Sequence, residues 1–153
     1  MINENDVLAK IVVFDSGLGS LSVIKEIQKI TKTEIVYFAD QKNYPYGTKS
    51  QAQLNTIMKK TINLLEEKFM PDIIVVASNT PSLMLNLQTK NIVDVKPPLK
   101  LAQKKSKSKK IAILATKSAI NSRGLRNYIK ENNIPKSYKI FKINGSNLVD
   151  LVE

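Results

Sequence analysis

The chain has 153 residues, 42% hydrophobic and 24% charged, which is typical of a globular protein with one core, or one domain plus part of another. It contains no cysteine and no histidine, which excludes disulfides, thiolate zinc sites, cysteine nucleophiles and histidine general bases. The net charge of +11 comes mostly from lysine. Because aromatic residues are not interleaved with the basic ones, a solvated lysine-rich surface is favoured over a nucleic-acid site.

The hydrophobic runs are short, and none approaches the length of a membrane span. The first residues, MINENDVLAK, are polar and acidic, whereas a secretory signal begins with a basic stretch followed by an apolar one. We therefore expect a cytoplasmic protein with no membrane partner.

The first unit reads as strand, glycine turn and helix. The apolar run KIVVF predicts a strand at Lys10–Phe14, which leads directly into the turn DSGLGS. Apolar residues then recur at helical spacing, which predicts an amphipathic helix from Ser20 to about Ile30. A second strand at Glu34–Ala39 ends at Asp40, and a tight turn is expected in the following sequence NYPYG.

The next unit carries the longest helix. Ser50 is a plausible N-cap, an apolar stripe continues to about Phe69, and Pro71 then ends the helix. The run IIVVASNTPS predicts a buried parallel strand that opens into a polar loop. The expected elements here are a strand at Asp72–Ala77 and a helix from about Pro81 to Gln88.

The remaining sequence repeats this alternation in a weaker form. The residues 91–95 fit either a strand or a simple connection. The later elements are expected to be a helix at Leu99–Lys105, a strand at Ile111–Ala115, a helix at Ser118–Glu131, a strand at Tyr138–Ile143 and the start of a helix at Leu148–Glu153.

This alternation of strands and helices predicts an α/β fold, a three-layer structure with a parallel sheet between flanking helices. Residues 1–95 are expected to form one nearly complete α/β domain, and residues 96–153 an incomplete second domain of similar layout. The sequence stops at LVDLVE, which we interpret as the beginning of a unit that is not finished.

Polar residues collect where the predicted strands end. Asp15 and Ser16 follow the first strand, Asp40 follows the second, and the cluster Ser78-Asn79-Thr80 follows the third. The carboxyl ends of parallel strands meet at one edge, so these side chains are expected to line one cleft, with the Tyr46-Gly47 turn closing over it. Their donors suit a small carboxylate, and an acidic group suits an ammonium. Helix capping is an equally good explanation for any single Ser or Asn.

The glycine turn admits a second interpretation. Gly17 and Gly19 lie between a strand and a helix, where backbone N–H groups can hold a phosphate. Ser22 occupies the position of the third glycine of a dinucleotide motif, and Asp15 would repel a phosphate. A structural tight turn is therefore the favoured interpretation.

The motifs also resemble those of a known family. FDSGLGSLSVIKEI, YFADQKNYPYGTKS and IIVVASNTPS resemble successive motifs of the glutamate racemases in the aspartate/glutamate racemase family. PPLKLAQKKSKSKKIAILATKSAINS and NLVDLVE resemble the next segments of that family, so the resemblance is collinear over nearly the whole chain.

The resemblance implies two similar α/β domains with the active site between them, and an interconversion of L- and D-glutamate without cofactor or metal that serves cell-wall peptidoglycan. Two cysteines would exchange a proton on opposite faces of the substrate Cα. Ser78 stands at the position of the first cysteine, Asp15 would be its auxiliary acid, and Glu153 resembles an acidic residue of the second half. The implied substrate-binding positions are Asp15, Ser16, Tyr46, Gly47, Asn79, Thr80 and Thr116.

The chain departs from the family at the reacting groups. A thiol titrates near pH 8.5, whereas a serine hydroxyl needs an adjacent base before it can act. The only nearby candidate is Asp15, which is too weak a base to generate an alkoxide. The Gly-Cys-Thr-His segment that carries the family's second cysteine has no counterpart in the 153 residues. We therefore expect racemisation by this chain to be absent or weak.

Two other functions remain open. The chain fits a non-catalytic binding or regulatory module for a small acidic amino acid, glutamate or aspartate. The lysine-rich stretch Lys96–Lys110 also fits association with nucleic acid, which is the less favoured alternative. An incomplete second domain would leave apolar surface uncovered, so a homo-oligomer or a companion chain is expected as a partner.

Overall fold

The structure is a computed structural model that describes residues 9–149 and 151. Strands and helices alternate along the chain, with two short 3-10 turns at Gln41–Asn43 and Tyr46–Thr48. The strands are β1 (Lys10–Asp15), β2 (Glu34–Ala39), β3 (Ile73–Val76), β4 (Ile92–Asp94), β5 (Lys110–Ala115) and β6 (Lys139–Asn144). The helices are α1 (Ser20–Ile30), α2 (Gln51–Phe69), α3 (Asn79–Met84), α4 (Leu99–Lys105), α5 (Lys117–Asn121), α6 (Arg123–Glu131) and α7 (Ser146–Val149).

Four strands form the first sheet, in the order β2-β1-β3-β4, and every neighbouring pair is parallel. Alternate residues of β1 point to opposite faces, so Val12 and Phe14 pack against α2 while Val13 packs against α1. The sheet therefore has a helix on each face, and the predicted α/β architecture with a parallel sheet and flanking helices is confirmed.

The ends of α2 follow the predicted signals. The Ser50 hydroxyl accepts a hydrogen bond from the Gln53 amide, and the Gln53 side chain accepts one from the Ser50 amide. Met70 then takes a left-handed conformation with φ 46°, and its amide bonds the Glu66 carbonyl. The predicted N-cap and the predicted end at Phe69 are both confirmed.

The strands β5 and β6 form a second, two-stranded parallel sheet, with Lys110 opposite Lys139 and Leu114 opposite Ile143. One face of this sheet packs on a core to which α4, α5 and α6 contribute Leu99, Ala119 and Leu125. The division into domains at residues 95 and 96 stays a prediction.

The sequence 91–95, which fitted a strand or a connection, forms the strand β4 and pairs with β3. The predicted helix at 81–88 was wrong at both ends. It begins at Asn79 and ends at Met84, because Leu85 turns into an extended conformation and packs with Leu87 against the α2 side of the core.

The single helix predicted at 118–131 was also wrong, because the chain breaks at Ser122. The backbone of Ser122 is extended. Its hydroxyl accepts a hydrogen bond from the Leu125 amide and so caps the start of a new helix. The break lets α6 approach α3 so closely that a Cβ at Gly124 would lie 1.8 Å from the Leu83 carbonyl oxygen. Only glycine fits that position.

Among the residues that the structure describes, no helix is both long and apolar enough to cross a membrane. The expected helix at the C-terminal end is described only in part, as α7 (Ser146–Val149). Glu153, which the family resemblance singled out, lies outside the described residues.

Candidate functional site

The candidate site lies where the strand order of the first sheet reverses. The chain passes from β1 to β2 on one side and returns to place β3 on the other side of β1. At such a switch point the loops after the two central strands diverge and leave a crevice at their carboxyl ends. Phe14 lies opposite Val76 in the register, so Asp15, one residue further, and Ser78, two residues further, both lie at this edge.

Asp15 organises the glycine turn after β1. Its Oδ1 accepts a hydrogen bond of 2.6 Å from the Ser16 amide, and Ser16 is buried. On the other side of the carboxylate, a Cβ at Gly19 would lie 3.2 Å from Asp15 Oδ2. The half-buried carboxylate is thus held by the turn that it helps to form.

The polar cluster after β3 is placed as the sequence indicated, but its three side chains differ. Ser78 is buried and extended, and its hydroxyl makes no capping hydrogen bond to α3. Asn79 is exposed at the start of α3. Thr80 is buried. The capping explanation therefore does not apply to the Ser78 hydroxyl.

A chain of hydroxyl groups connects the two sheets at this edge. Thr80 Oγ1 lies 3.1 Å from Thr116 Oγ1, which in turn lies 3.3 Å from Ser118 Oγ. The Ser118 hydroxyl donates a hydrogen bond of 2.8 Å to the Gly47 carbonyl. Three predicted residues, Gly47, Thr80 and Thr116, are therefore brought together from positions far apart in the sequence.

Gly47 fits against Thr116 without room for a side chain. A Cβ at Gly47 would lie 2.6 Å from Thr116 Cγ2 and 3.0 Å from Thr116 Cβ. This close approach seats the loop after β2 on the end of β5. The predicted closure of that loop over the cleft at the strand ends stays a prediction.

Tyr46 and Asp40 form a buried, hydrogen-bonded pair. The ring of Tyr46 lies in the core, and its hydroxyl donates a hydrogen bond of 2.8 Å to Asp40 Oδ2. Asp40 is buried and also accepts from the Thr61 hydroxyl and the Asn43 amide. Burial, then the nearby Asp40 and Asp15 carboxylates, raise the pKa of the Tyr46 hydroxyl far above its usual value, so it stays protonated.

Sequence reasoning missed Ser118, Thr61 and Asn43. Ser118 is a hydroxyl residue two positions after the polar end of β5, so the pattern that identified Thr116 was also sufficient to find it. Thr61 lies in the middle of α2, on its buried face, and only the position of Asp40 reveals its role. Among the described residues, no group of His, Cys, Asp and Glu side chains has a geometry that could hold a metal ion.

The chain is similar in sequence to several racemases. It is 34% identical over 144 residues to glutamate racemase 3 of Caldanaerobacter subterraneus subsp. tengcongensis, and 32% identical over 146 residues to the glutamate racemase of Clostridium botulinum. Each alignment covers 92% of this chain, but only 52% and 56% of the two relatives. No family model matches the chain.

The fold agrees with that similarity. The Escherichia coli glutamate racemase, solved with L-glutamate and the activator UDP-MurNAc-ala, superposes with a TM-score of 0.79 at 25% identity, over 94% of this chain and 56% of that one. The Aquifex pyrophilus glutamate racemase superposes with a TM-score of 0.72 at 31% identity, over 87% and 54% of the two chains. The chain is therefore similar to glutamate racemases in both sequence and fold. It spans about half the length of the racemases that it matches.

Two cavities of the chain lie near the elements described above. One of about 300 Å³ opens at the ends of β1 and β2, where Ser16, Gly17 and Tyr44 line it. A larger one of about 830 Å³ lies between α2, α3 and α6, and none of the predicted site residues lines it. We assign the candidate site to the strand ends, because the sheet topology and the hydroxyl chain both lead there.

Proposed function

We propose that this glutamate racemase-like protein holds a small acidic amino acid at the carboxyl ends of β1 and β3, and that it does not racemise this ligand by itself. The observation that carries the proposal is the hydroxyl chain of Thr80, Thr116 and Ser118, which gathers donors from both sheets at one edge. Similarity supports the ligand class, since the Francisella tularensis glutamate racemase was solved with D-glutamate and superposes with a TM-score of 0.76.

Each group at the edge has a role suited to such a ligand. The hydroxyls of Thr80 and Thr116 and the exposed amide of Asn79 supply donors for the ligand carboxylates. Asp15 supplies a carboxylate for the ammonium group, already oriented by its bond to the Ser16 amide. The turn at Gly47 shields the other side. Because the Tyr46 hydroxyl is hydrogen-bonded to Asp40, we assign the Tyr46 side chain a structural role. We assign the contact with the ligand to the neighbouring Gly47.

The absence of racemisation follows from the chemistry of the reacting position. Removing a proton from Cα needs a base, and the chain contains no thiol that could serve as one. The Ser78 hydroxyl has no basic partner strong enough to ionise it near neutral pH. We therefore propose a binding site rather than a racemase site, with the first and the second sheet belonging to two proposed domains, 1–95 and 96–153.

The test uses exchange of the Cα proton in heavy water. The protein is incubated separately with L- and D-glutamate and with L- and D-aspartate, and Cα deuteration is followed by NMR or mass spectrometry. We expect no exchange from the natural sequence. Deuterium that enters in proportion to protein concentration would refute the claim that the site is inactive.

A gain-of-function variant makes the same test sharper. Ser78→Cys places one thiol at the crevice, and a single base that removes and returns the proton on one face introduces deuterium without inverting Cα. We expect this variant to exchange one enantiomer preferentially. The matched control is Ser137→Cys, whose thiol would lie on an exposed turn far from the strand ends.

Binding is measured separately by calorimetry and by thermal shift with the same four amino acids. A ligand that binds only the folded protein raises its unfolding temperature with concentration. We expect a shift with at least one enantiomer and a smaller shift in Thr80→Val, which keeps the shape of the side chain without its hydroxyl. No heat and no shift with any of the four would refute ligand binding.

A further inference from the structure

The junction between β6 and α7 contains the one Asn-Gly pair of the sequence, at residues 144 and 145. Asn144 is the last residue of β6 and is exposed to solvent, and Ser146 begins α7. An asparagine before glycine is chemically labile, because no Cβ hinders the attack of the glycine nitrogen on the asparagine side chain. This junction is therefore a place where the chain can change covalently without an enzyme.

Both members of the pair have a structural role. A Cβ at Gly145 would lie 2.8 Å from Leu114 Cδ1 and 3.0 Å from Leu114 Cγ, so glycine is the residue that fits without moving Leu114. Asn144 Oδ1 accepts a hydrogen bond of 3.1 Å from the Ser146 amide and one of 2.7 Å from the Ser146 hydroxyl. Short polar side chains commonly form such turns with the backbone two residues further on.

The same contacts restrain the two groups that would react. The Gly145 N–H donates a hydrogen bond of 2.9 Å to the Ala115 carbonyl, and the nitrogen must lose this proton before it can attack. The carboxamide of Asn144 is held through its oxygen by Ser146. Because both groups are engaged in the folded chain, the reaction requires the junction to open locally.

The junction also holds the start of α5. Ser146 Oγ accepts a hydrogen bond of 2.9 Å from the Lys117 amide. Lys117 lies between Thr116 and Ser118, whose hydroxyls are 3.3 Å apart, and the Ser118 hydroxyl donates to the Gly47 carbonyl. A continuous series of hydrogen bonds therefore leads from Asn144 to the loop at residues 46–49.

We propose that Asn144 is a site of spontaneous deamidation, that opening of the β6–α7 junction sets its rate, and that the isoaspartate product loosens the loop at residues 46–49. The Gly145 nitrogen gives its proton to a solvent base and forms a bond with Asn144 Cγ. The bond from Cγ to Nδ2 then breaks, and Nδ2 leaves as ammonia after taking a proton from water.

Water next opens the five-membered imide at either carbonyl, which leaves aspartate or isoaspartate at position 144. Aspartate preserves the main chain and an oxygen for the Ser146 donors. Isoaspartate inserts its Cβ into the main chain, and this extra atom moves Ser146 away from Lys117. The inference concerns a covalent modification and does not depend on the proposed function.

The experiment compares the folded chain with the same chain unfolded in urea. Both are aged in one mildly alkaline buffer, and the two products at position 144 are quantified by peptide mapping and mass spectrometry. We expect deamidation of Asn144 to be about tenfold slower in the folded chain. Asn147, exposed on α7 and followed by a leucine, is the internal reference and should stay intact. Equal rates in the two states, or an intact Asn144 in urea, would overturn the proposal.

Variants test the restraint by Ser146. Ser146→Ala removes one donor to Asn144 and the acceptor of the Lys117 amide, so we expect deamidation about threefold faster in the folded chain and unchanged in urea. Ser137→Ala, on an exposed turn, is the matched control and should leave both rates unchanged. A folded Ser146→Ala protein that deamidates no faster than the natural sequence would overturn the restraint.

The effect on the loop is measured on the isoaspartate form, separated from the aged protein by ion exchange. We expect faster amide hydrogen exchange in residues 46–49 than in fresh protein. Asn144→Asp keeps the main chain and should exchange like fresh protein there. Asn144→Gln, which would have to form a larger ring, should neither deamidate nor change its exchange during the same ageing. An isoaspartate form with unchanged exchange in residues 46–49 would overturn the link to the loop.

Discussion

The hydroxyl of Ser118 donates a hydrogen bond of 2.8 Å to the carbonyl of Gly47, across 71 residues of sequence. It is the link by which the second sheet holds the loop that covers the end of the first. Thr116 Oγ1 lies between Ser118 Oγ and Thr80 Oγ1, so hydroxyl groups from both sheets meet at this edge. The geometry of the site therefore depends on how the two sheets are joined.

Removing the hydrogen bond from Ser118 to Gly47 should make the loop at residues 46–49 open more often, with only a small effect on the stability of the whole protein. Ser118→Ala leaves the Gly47 carbonyl without its donor, and a lost hydrogen bond of this kind costs about 0.5–1.5 kcal/mol. We expect amide hydrogen exchange to rise in residues 46–49 while the unfolding temperature falls only slightly.

Ser118→Thr keeps the hydroxyl and should restore protection of the loop. If Ser118→Ala left exchange in residues 46–49 unchanged, the bond would not hold the loop. This readout needs no ligand, so it separates the role of Ser118 from the proposed binding function.

Gly47 should tolerate no side chain while Thr116 is present. The Cβ of Gly47→Ala would lie 2.6 Å from Thr116 Cγ2, and overpacking of this kind costs about 1–3 kcal/mol. We expect urea unfolding to show this loss, and Thr116→Ser, which removes the Cγ2 methyl group, to recover most of it in the double variant. Equal losses in the single and the double variant would show that the contact does not limit the position.

Tyr46 should make the protein sensitive to alkali. Burial and the Asp40 carboxylate raise the pKa of its hydroxyl, so the folded protein keeps a proton that the unfolded chain releases above about pH 10. Below about pH 10 this contribution to the free energy of unfolding is fully present. Above about pH 10 the free energy of unfolding falls by about 1.4 kcal/mol for each pH unit. We expect Tyr46→Phe to flatten this decline in chemical unfolding measured between pH 9 and 11.

The same variant should cost about 1–2 kcal/mol at neutral pH, because the buried Asp40 loses one donor and keeps Thr61 and Asn43. Tyr37→Phe is the control, since the Tyr37 hydroxyl is only partly buried and bonds the Gly17 carbonyl. An alkaline decline that is as steep in Tyr46→Phe as in the natural sequence would contradict the assignment.

Lys96 should be needed for the stability of β4. Its Nζ lies 3.0 Å from Asp94 Oδ2, and the Asp94 side chain is fully buried. Lys96→Met leaves that carboxylate unpaired, which we expect to cost about 2–4 kcal/mol, somewhat less than for a fully buried pair because Lys96 is partly exposed.

Asp94→Asn in the same background removes the stranded charge and should recover part of the loss in a double-mutant cycle. Lys59→Met, an exposed change on α2, serves as the control for the loss of a lysine. If Lys96→Met and Lys59→Met had equal unfolding free energies, the ion pair would have no structural role.

The local structure could be predicted from sequence where one strong signal dominates. The apolar period and the capping residue Ser50 defined α2, and the apolar runs defined β1, β2 and β3 to within a residue or two. The break at Ser122 could not be predicted in this way. The break accompanies the close approach of Gly124 to the Leu83 carbonyl, a contact between segments about forty residues apart in the sequence.

The sequence by itself determined which chemistry is present at the strand ends. It supplied the hydroxyl, amide and carboxylate groups there, excluded a thiol, and carried the family motifs, because residue identity and local spacing are properties of the chain. Only the tertiary structure decided how those groups are used. It turned Tyr46 inward to the buried Asp40, brought Thr116 and Ser118 to Gly47, and set Lys110 beside Lys139, because burial and contact depend on the packing of distant segments.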